Sequence, residues 1–504
     1  MRDKHFSLKL LSILFFEATE RFGFYGLQGL LLNYSLFSLG IKEGNANLIA
    51  VSFSGLAFAS TLIGGISGLS PSAARRNVVT GACLQMVALA CLALFHPQKS
   101  GFLAALAAVA LANGLTRPNV ASMIRSLLRP GERSDNLFTL YAFAVNLGAS
   151  TAFLTLPWIA HNFGWGASFG LCALCVAAGL SGMLLTNFRL PSEEQTSSTH
   201  ISGNIFTMLA GGIIAFGALY AIMNNPSLGQ HIFAIISFCL PLLWILLASR
   251  CNPTERKSLI MALILILQAM FYAVFDEQTT SSMILFALHD VSPDFTVAGI
   301  TIAHLSGAQF VSINAGLTMF FSPVLVSMYK YLDKNSMNPP LHFKYLVGSL
   351  FIVLSFGLLA WNVSHQTSTL MSPWTFAASY ALISIAGLLM NSLGLAVIAE
   401  YIPARFNSLA TALFFLSIGT AMYGGGFLAN RLALSRLSPT LSPEQVVGVF
   451  GHLFMILTAI ALAGTIILAM AQPFFRKILA NIEKERPHIK KASLRIKRGH
   501  KESD

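Results

Sequence analysis

Glu17, Glu20, Arg21, Arg117, Asp276 and Glu277 all fall deep inside long apolar runs, where ionisable side chains are out of place unless they have work to do. Holding a charge at the centre of a bilayer costs several kcal/mol, roughly 3 on lenient scales. Such groups therefore face a cavity, pair with one another and mark a pathway. The offsets from Glu17 to Glu20 and Arg21 put all three on one face of a helix. Fixed neutral pairs would need no surplus, yet the four acids outnumber the two arginines. A carboxyl group without a basic partner in a low-dielectric cavity takes up a proton more readily than in water, which is what a proton carrier requires. A purely structural reading would pair Arg21 with Glu20 and Arg117 with Glu277 and leave Glu17 and Asp276 unexplained.

The elements that must carry these charges are membrane helices. Of 504 residues, 55% are hydrophobic and 10% charged, well below the usual quarter for a soluble chain. Apolar segments predict helices at 8–36, 48–69, 77–95, 101–127, 136–159 and 165–185. Two more are predicted at 204–223 and 231–249, and six at 257–288, 301–331, 343–361, 374–402, 408–432 and 446–475. That makes about fourteen spans. The residues divide into an N-terminal bundle (1–186), a linker with two accessory helices (187–256), a C-terminal bundle (257–475) and a basic tail (476–504). Arg2, Lys4 and Lys9 ahead of an apolar stretch imitate a signal peptide, but the run continues through Glu17 without a small-residue cleavage site and reads as a retained first helix.

The net charge of +12 invites a nucleic-acid reading, but the positives sit in short loops and the tail. Arg75, Arg76, Arg125, Arg129, Arg133, Arg189, Arg250, Arg256, Lys257, Lys330, Lys334 and Arg405 fall in alternate loops, so both termini are expected in the cytoplasm, with Arg431 and Arg436 as exceptions. The basic tail is expected to be partly disordered and to lie near lipid. The six cysteines, including the Cys172–Cys175 pair, read as packing residues, and His304 as an interfacial histidine at the start of a helix. Gly424, Gly425 and Gly426 lack a following Lys-Ser/Thr and read as a site of close helix approach, not a phosphate loop. No metal, nucleotide or prosthetic group is expected.

The charged positions carry a resemblance. Glu17-Ala18-Thr19-Glu20-Arg21-Phe22-Gly23-Phe24-Tyr25-Gly26 resembles the E-x-x-E-R-F-x-Y-Y-G signature of the proton-dependent oligopeptide transporters (POT/PTR) of the major facilitator superfamily. Weaker matches follow in order: Pro118-Asn119, Asn146-Leu147-Gly148-Ala149, Phe275-Asp276-Glu277-Gln278, Asn314 and Pro403-Ala404-Arg405. The resemblance implies an all-α polytopic fold of two six-helix bundles rocking about a midplane cavity, with two accessory helices between them. It implies proton coupling by Glu17, Glu20 and Arg21, and a substrate site drawn from Tyr25, Arg117, Asn146, Asp276, Glu277, Gln278 and Asn314. Glu277 would pair across the cavity with a basic residue that is normally lysine and here is Arg117, which keeps its charge at any relevant pH.

The chain departs from the family where substrate is held. The glutamate that holds a peptide amine is Gly387, and a basic residue on the carboxylate side is Gln28. Ile66-Ser67-Gly68-Leu69 lacks the usual aspartate, and Tyr141-Ala142 stands where Phe-Tyr belongs. One lost charge-assisted hydrogen bond, roughly 1.5–3 kcal/mol, weakens binding about ten- to a hundredfold. A blocked amine should then be tolerated better than in the family at large, unless Asp276 supplies the acid from another helix. The expected function is proton-coupled import of di- or tripeptides or peptide-like compounds by a monomer in a bacterial inner membrane. A non-peptide cargo and a non-transporting sensor or scaffold are the alternatives.

Overall fold

The computed structural model describes residues 2–485 apart from 69, 96–97, 127–134, 189–204, 336, 338, 366–369, 391–401, 403–406 and 438–440. The chain is a bundle of long helices. In the first half these are α1 (Arg2–Asn33), α2 (Glu43–Ala59), α3 (Thr61–Ser67), α4 (Pro71–Phe95), α5 (Lys99–Ser126), α6 (Asp135–Phe163) and α7 (Trp165–Phe188). Next come α8 (Ile205–Asn224) and α9 (Pro226–Ser249). The second half holds α10 (Pro253–Thr280), α11 (Ser282–Asp290), α12 (Val311–Lys334), α13 (Leu341–His365), α14 (Pro373–Met390), α15 (Asn407–Leu432) and α16 (Pro443–Glu485).

Twelve helical segments among the described residues are long and apolar enough to cross a membrane, with α2–α3 and α10–α11 each counted as one. The 32-residue α1 misses that test only because Glu17, Glu20 and Arg21 interrupt it, and α8 spans 20 residues of similar character. Adding these two gives the fourteen expected. Within the halves, α1 packs on α6 and α7, α4 on α5 and α7, and α13 on α14 and α16. The accessory helices lie outside, α8 on α5 and α9 on α15.

The structure corrects several boundaries. Residues 301–304 are not helical: Asp294–Val297 (β1) and Ile300–His304 (β2) form an antiparallel hairpin. Ala298 and Gly299 turn it with φ of 50° and 82°, as a tight hairpin demands. The helix begins only after Ser306, where Ser306 and Gln309 form a capping box. His304 is therefore not at a helix start but on the strand, with Nδ1 2.7 Å from Asp294 Oδ1. The 257–288 segment breaks at Ser281, and the 48–69 segment begins earlier, at Glu43, and breaks at Ser60. The Ser60 hydroxyl there donates to the Ala110 carbonyl, 2.6 Å away. The last helix runs on to Glu485, ten residues into the predicted tail. The rest of the tail, residues 391–401, Pro403-Ala404-Arg405 and the proposed break in the linker lie outside the described residues.

The halves meet along α2 and α15, where bare backbones touch. A Cβ on Gly419 would stand 2.6 Å from the Gly55 carbonyl oxygen, and one on Gly426 would overlap Val51. Side-chain ties cross the same boundary: His289 Nε2 to Glu43 Oε1 at 2.8 Å, Asn47 Nδ2 to the Gly426 carbonyl at 3.1 Å, and Gln309 Nε2 to the Leu154 carbonyl at 2.8 Å. Within the first half, Pro118 has no N–H to offer the Gly114 carbonyl, and Gly64 packs directly on that oxygen. Gly64→Val is accordingly expected to lower the melting temperature in detergent, at an overpacking cost of about 1–3 kcal/mol. A variant that melts like wild type would show the contact to be loose.

Candidate functional site

On α1, one helical face presents Glu17, Glu20 and Arg21 to the interior of the first half, each 1% exposed or less. The offsets that suggested a shared face do bring them together: Arg21 Nε lies 2.6 Å from Glu20 Oε2 and 3.4 Å from Glu17 Oε1. Arg21 Nη1 donates to Asn113 Oδ1 of α5 at 2.9 Å, and Asn113 in turn donates to the Ala57 carbonyl at 2.8 Å. Gln85 of α4 donates to the Glu20 carbonyl at 3.0 Å. The guanidinium also stands over the Phe24 ring, 5.1 Å from its centroid. Even so, both Glu17 carboxylate oxygens, Glu20 Oε1 and Arg21 Nη2 are buried without a hydrogen-bond partner among the described residues. One guanidinium thus faces two carboxylates, and Tyr141 and Arg117 are the next groups acting on Glu17.

Arg117 lies between aromatic rings, 4.5 Å from the Phe58 centroid and 5.6 Å from that of Phe415. Phe58 belongs to α2 and Phe415 to α15, so the cation sits on the boundary between halves. It makes no ion pair with Glu277 in this conformation: neither carboxylate oxygen of buried Glu277 has a hydrogen-bond partner among the described residues. A polar group that acts on Glu277 from across the boundary is Ser54 of α2, which receives a hydrogen bond from Gln28 at 3.2 Å. The residue in the place of the family's base therefore reaches toward Glu277 through a neutral hydroxyl.

The other predicted positions differ in what they do. Tyr25 packs edge-on to Phe24 and against Phe153, partly exposed. Asp276 Oδ1 accepts a hydrogen bond from the Tyr272 hydroxyl at 2.8 Å. Asn314 Oδ1 accepts from the Ser384 hydroxyl at 2.7 Å. Asn146 is engaged by its own helix, donating to the Ala142 carbonyl at 2.9 Å. Gln278 spans the α10–α11 break, donating to the Val274 carbonyl at 3.0 Å and accepting from Ser282 at 2.7 Å. Asn113, Gln85, Ser54, Phe58, Phe415 and Tyr272 escaped notice in the sequence. Asn113 and Gln85 could have been found as lone amides in apolar runs, whereas an aromatic in a membrane helix carries no such signal. All six cysteines are free, and Cys172 packs against Gly26 of α1.

Two halves of long apolar helices, two accessory helices outside them and charged side chains buried in the interior make up the architecture of a secondary transporter of the major facilitator fold. Residues 58–441 match the family described as PTR2: POT family, and the chain belongs to that family. It is 28% identical over 450 residues to dipeptide and tripeptide permease A of Edwardsiella piscicida, covering 87% of this chain and 89% of the relative. It is 26% identical to dipeptide and tripeptide permease B of Salmonella typhimurium, covering 93% and 95%. Among solved structures, a bacterial homologue of the human drug peptide transporters PepT1 and PepT2 superposes with a TM-score of 0.80 at 27% identity, over 94% of this chain and 99% of that one. Tetrameric PepTSo2 gives 0.80 at 25% identity, with the same coverage.

Proposed function

We propose that this chain is a proton-coupled symporter that imports di- or tripeptides, or peptide-like compounds, by alternating access across the inner membrane of a bacterium. The observation that carries the reading is the buried Glu17–Glu20–Arg21 cluster, in which one cation serves two acids, inside a chain of the POT family. A carboxylate left over in such a place carries its charge at a cost, and binding a proton removes that cost. Glu17 and Glu20 carry or gate the proton, while Tyr25, Arg117, Asp276, Glu277 and Asn314 line the substrate cavity. Asn146 joins them by releasing its bond to its own helix, and Gln278 by releasing those to Val274 and Ser282. Each charge moved down 100 mV releases about 2.3 kcal/mol, enough for roughly a fiftyfold concentration ratio.

Uptake of dipeptides into proteoliposomes, with and without an imposed proton gradient, tests the reading. Concentrative uptake only with the gradient is expected. The substitutions Gly387 and Gln28 favour a second reading, a non-peptide cargo, which the same assay reveals if amino acid derivatives or anions are taken up and dipeptides are not. Gradient-independent inertness to every compound would leave a sensor or scaffold.

Arg117 exchanges partners during the cycle: it faces Glu17 and Tyr141 in this conformation and Glu277 in the other. Removing either Arg117 or Glu277 then leaves an uncompensated charge, and exchanging them restores neutrality. Initial uptake rates of Arg117→Glu with Glu277→Arg are expected to exceed those of either single variant, and strictly additive losses would exclude direct pairing.

The bundles comprise residues 1–186 and 257–475, joined by 187–256, and the chain works as a monomer. Both termini are cytoplasmic, with the basic tail from residue 476 against the inner leaflet. On that topology the Glu43–His289 and Gln309–Leu154 ties lie on the outer side, so this conformation is closed to the outside. A carboxyl-terminal reporter active only in the cytoplasm is expected, and activity outside would overturn the fourteen-span assignment.

A further inference from the structure

One face of α14 carries Tyr380, Ser384 and Gly387 in successive turns, and each meets a different neighbour in the second half. The Tyr380 hydroxyl donates to the Thr279 carbonyl of α10 at 2.8 Å, and Ser384 donates to Asn314 of α12 at 2.7 Å. At Gly387 the space beyond Cα is already taken: a Cβ there would overlap the Tyr272 hydroxyl and lie 3.0 Å from its Cζ. That hydroxyl donates onward to Asp276 Oδ1 at 2.8 Å. A single phenol thus bridges the bare backbone of α14 and an acid one turn further along α10.

Asp276 is unlike its buried neighbour Glu277. It is partly exposed although it lies deep in a membrane span, and it has no cationic partner within 4 Å among the described residues. The phenol occupies one carboxylate oxygen and fixes the direction of the other. A partly accessible, oriented carboxylate inside a membrane protein is a receptor for a cation. The phenol that it contacts is a neutral hydrogen-bonding group, and the Ser384–Asn314 pair lies one turn from Gly387 on α14, polar groups of the kind that suit the backbone of a small polar molecule.

We infer that Asp276, positioned by Tyr272 against Gly387, receives the free amine of the transported molecule, so that the amine subsite of this chain lies on α10. The inference rests on the peptide reading above and names the group that sets selectivity within it.

The test compares dialanine with N-acetyl-dialanine as substrates in proteoliposomes under a fixed proton gradient. Wild type is expected to show a KM about ten- to a hundredfold lower for the free amine. Asp276→Asn is expected to bring the ratio of the two KM values close to one, and Asp276→Glu to restore part of it. Tyr272→Phe should raise the free-amine KM more than the acetylated KM, because it frees the carboxylate without removing it. Equal KM values in wild type, or an Asp276→Asn variant that keeps the preference, overturn the inference while leaving peptide transport intact. Should Asp276→Asn not yield folded protein, the wild-type ratio and Tyr272→Phe decide. A wild type that takes up neither form overturns the peptide reading and this assignment together.

Discussion

Replacing Glu20 with glutamine is expected to abolish concentrative uptake, bringing the accumulation ratio from roughly fiftyfold at 100 mV to about one. Exchange of substrate across the membrane, measured as counterflow at equal pH, should survive in part. The difference follows from the geometry. Glu20 holds Arg21 at 2.6 Å and Glu17 stands ready at 3.4 Å, so the neutral variant keeps an acid for the guanidinium. It no longer has the surplus carboxylate on which a proton rides. Exchange requires only that the loaded carrier reorient, whereas accumulation requires that each turn of the cycle move a proton. If Glu20→Gln still concentrates substrate with the pH dependence of wild type, the proton travels by another route.

Arg21→Met is expected to have a larger effect still, on the protein itself. Arg21 is the partner of two buried carboxylates and ties α1 to α5 through Asn113. Removing it leaves two like charges side by side in the bundle interior. Breaking a buried pair in this way costs about 3–5 kcal/mol, a large part of the 5–15 kcal/mol typical of a folded domain. The yield of monodisperse protein in detergent should fall sharply, and the remainder should melt well below wild type. Arg21→Lys should recover only part of the loss, because an ammonium cannot reproduce the planar fork that reaches both Glu20 and Asn113. An Arg21→Met variant with wild-type yield and melting temperature would show that the cluster is neutral or solvated.

Much of the fold was legible because a bilayer filters sequence by one rule: span with an apolar helix or do not span. Segments such as 101–127 and 165–185 therefore lie close to the observed bounds, Lys99–Ser126 and Trp165–Phe188. The hairpin at 294–304 failed the same rule for a physical reason. Ile300, Thr301, Ile302 and Ala303 are as apolar as the helix that follows, and average hydropathy does not register the Ala298–Gly299 turn that separates them. The α1 cluster could be read from spacing alone, since a helix converts offsets of three and four into proximity. The surroundings of Arg117 could not. Its neighbours Phe58 and Phe415 come from helices remote in sequence, and no spacing along α5 reveals them. The absence of a side chain at Gly387 was visible in sequence, but only the packing of α10 on α14 shows that Tyr272 occupies the space.

Where α2 meets α15, Gly55 lies against Gly419 and the Val51 side chain packs into the space over Gly426, so a glycine stands on at least one side of each contact. Interlocked side chains behave as gear teeth: turning one helix against the other means lifting each knob from its hole. With a glycine on one side of each contact, fewer knobs have to be lifted and fewer rotamers disturbed. In the cycle proposed above, such a seam would hold the halves at a fixed separation while they tilt, once the Asn47–Gly426 bond is released.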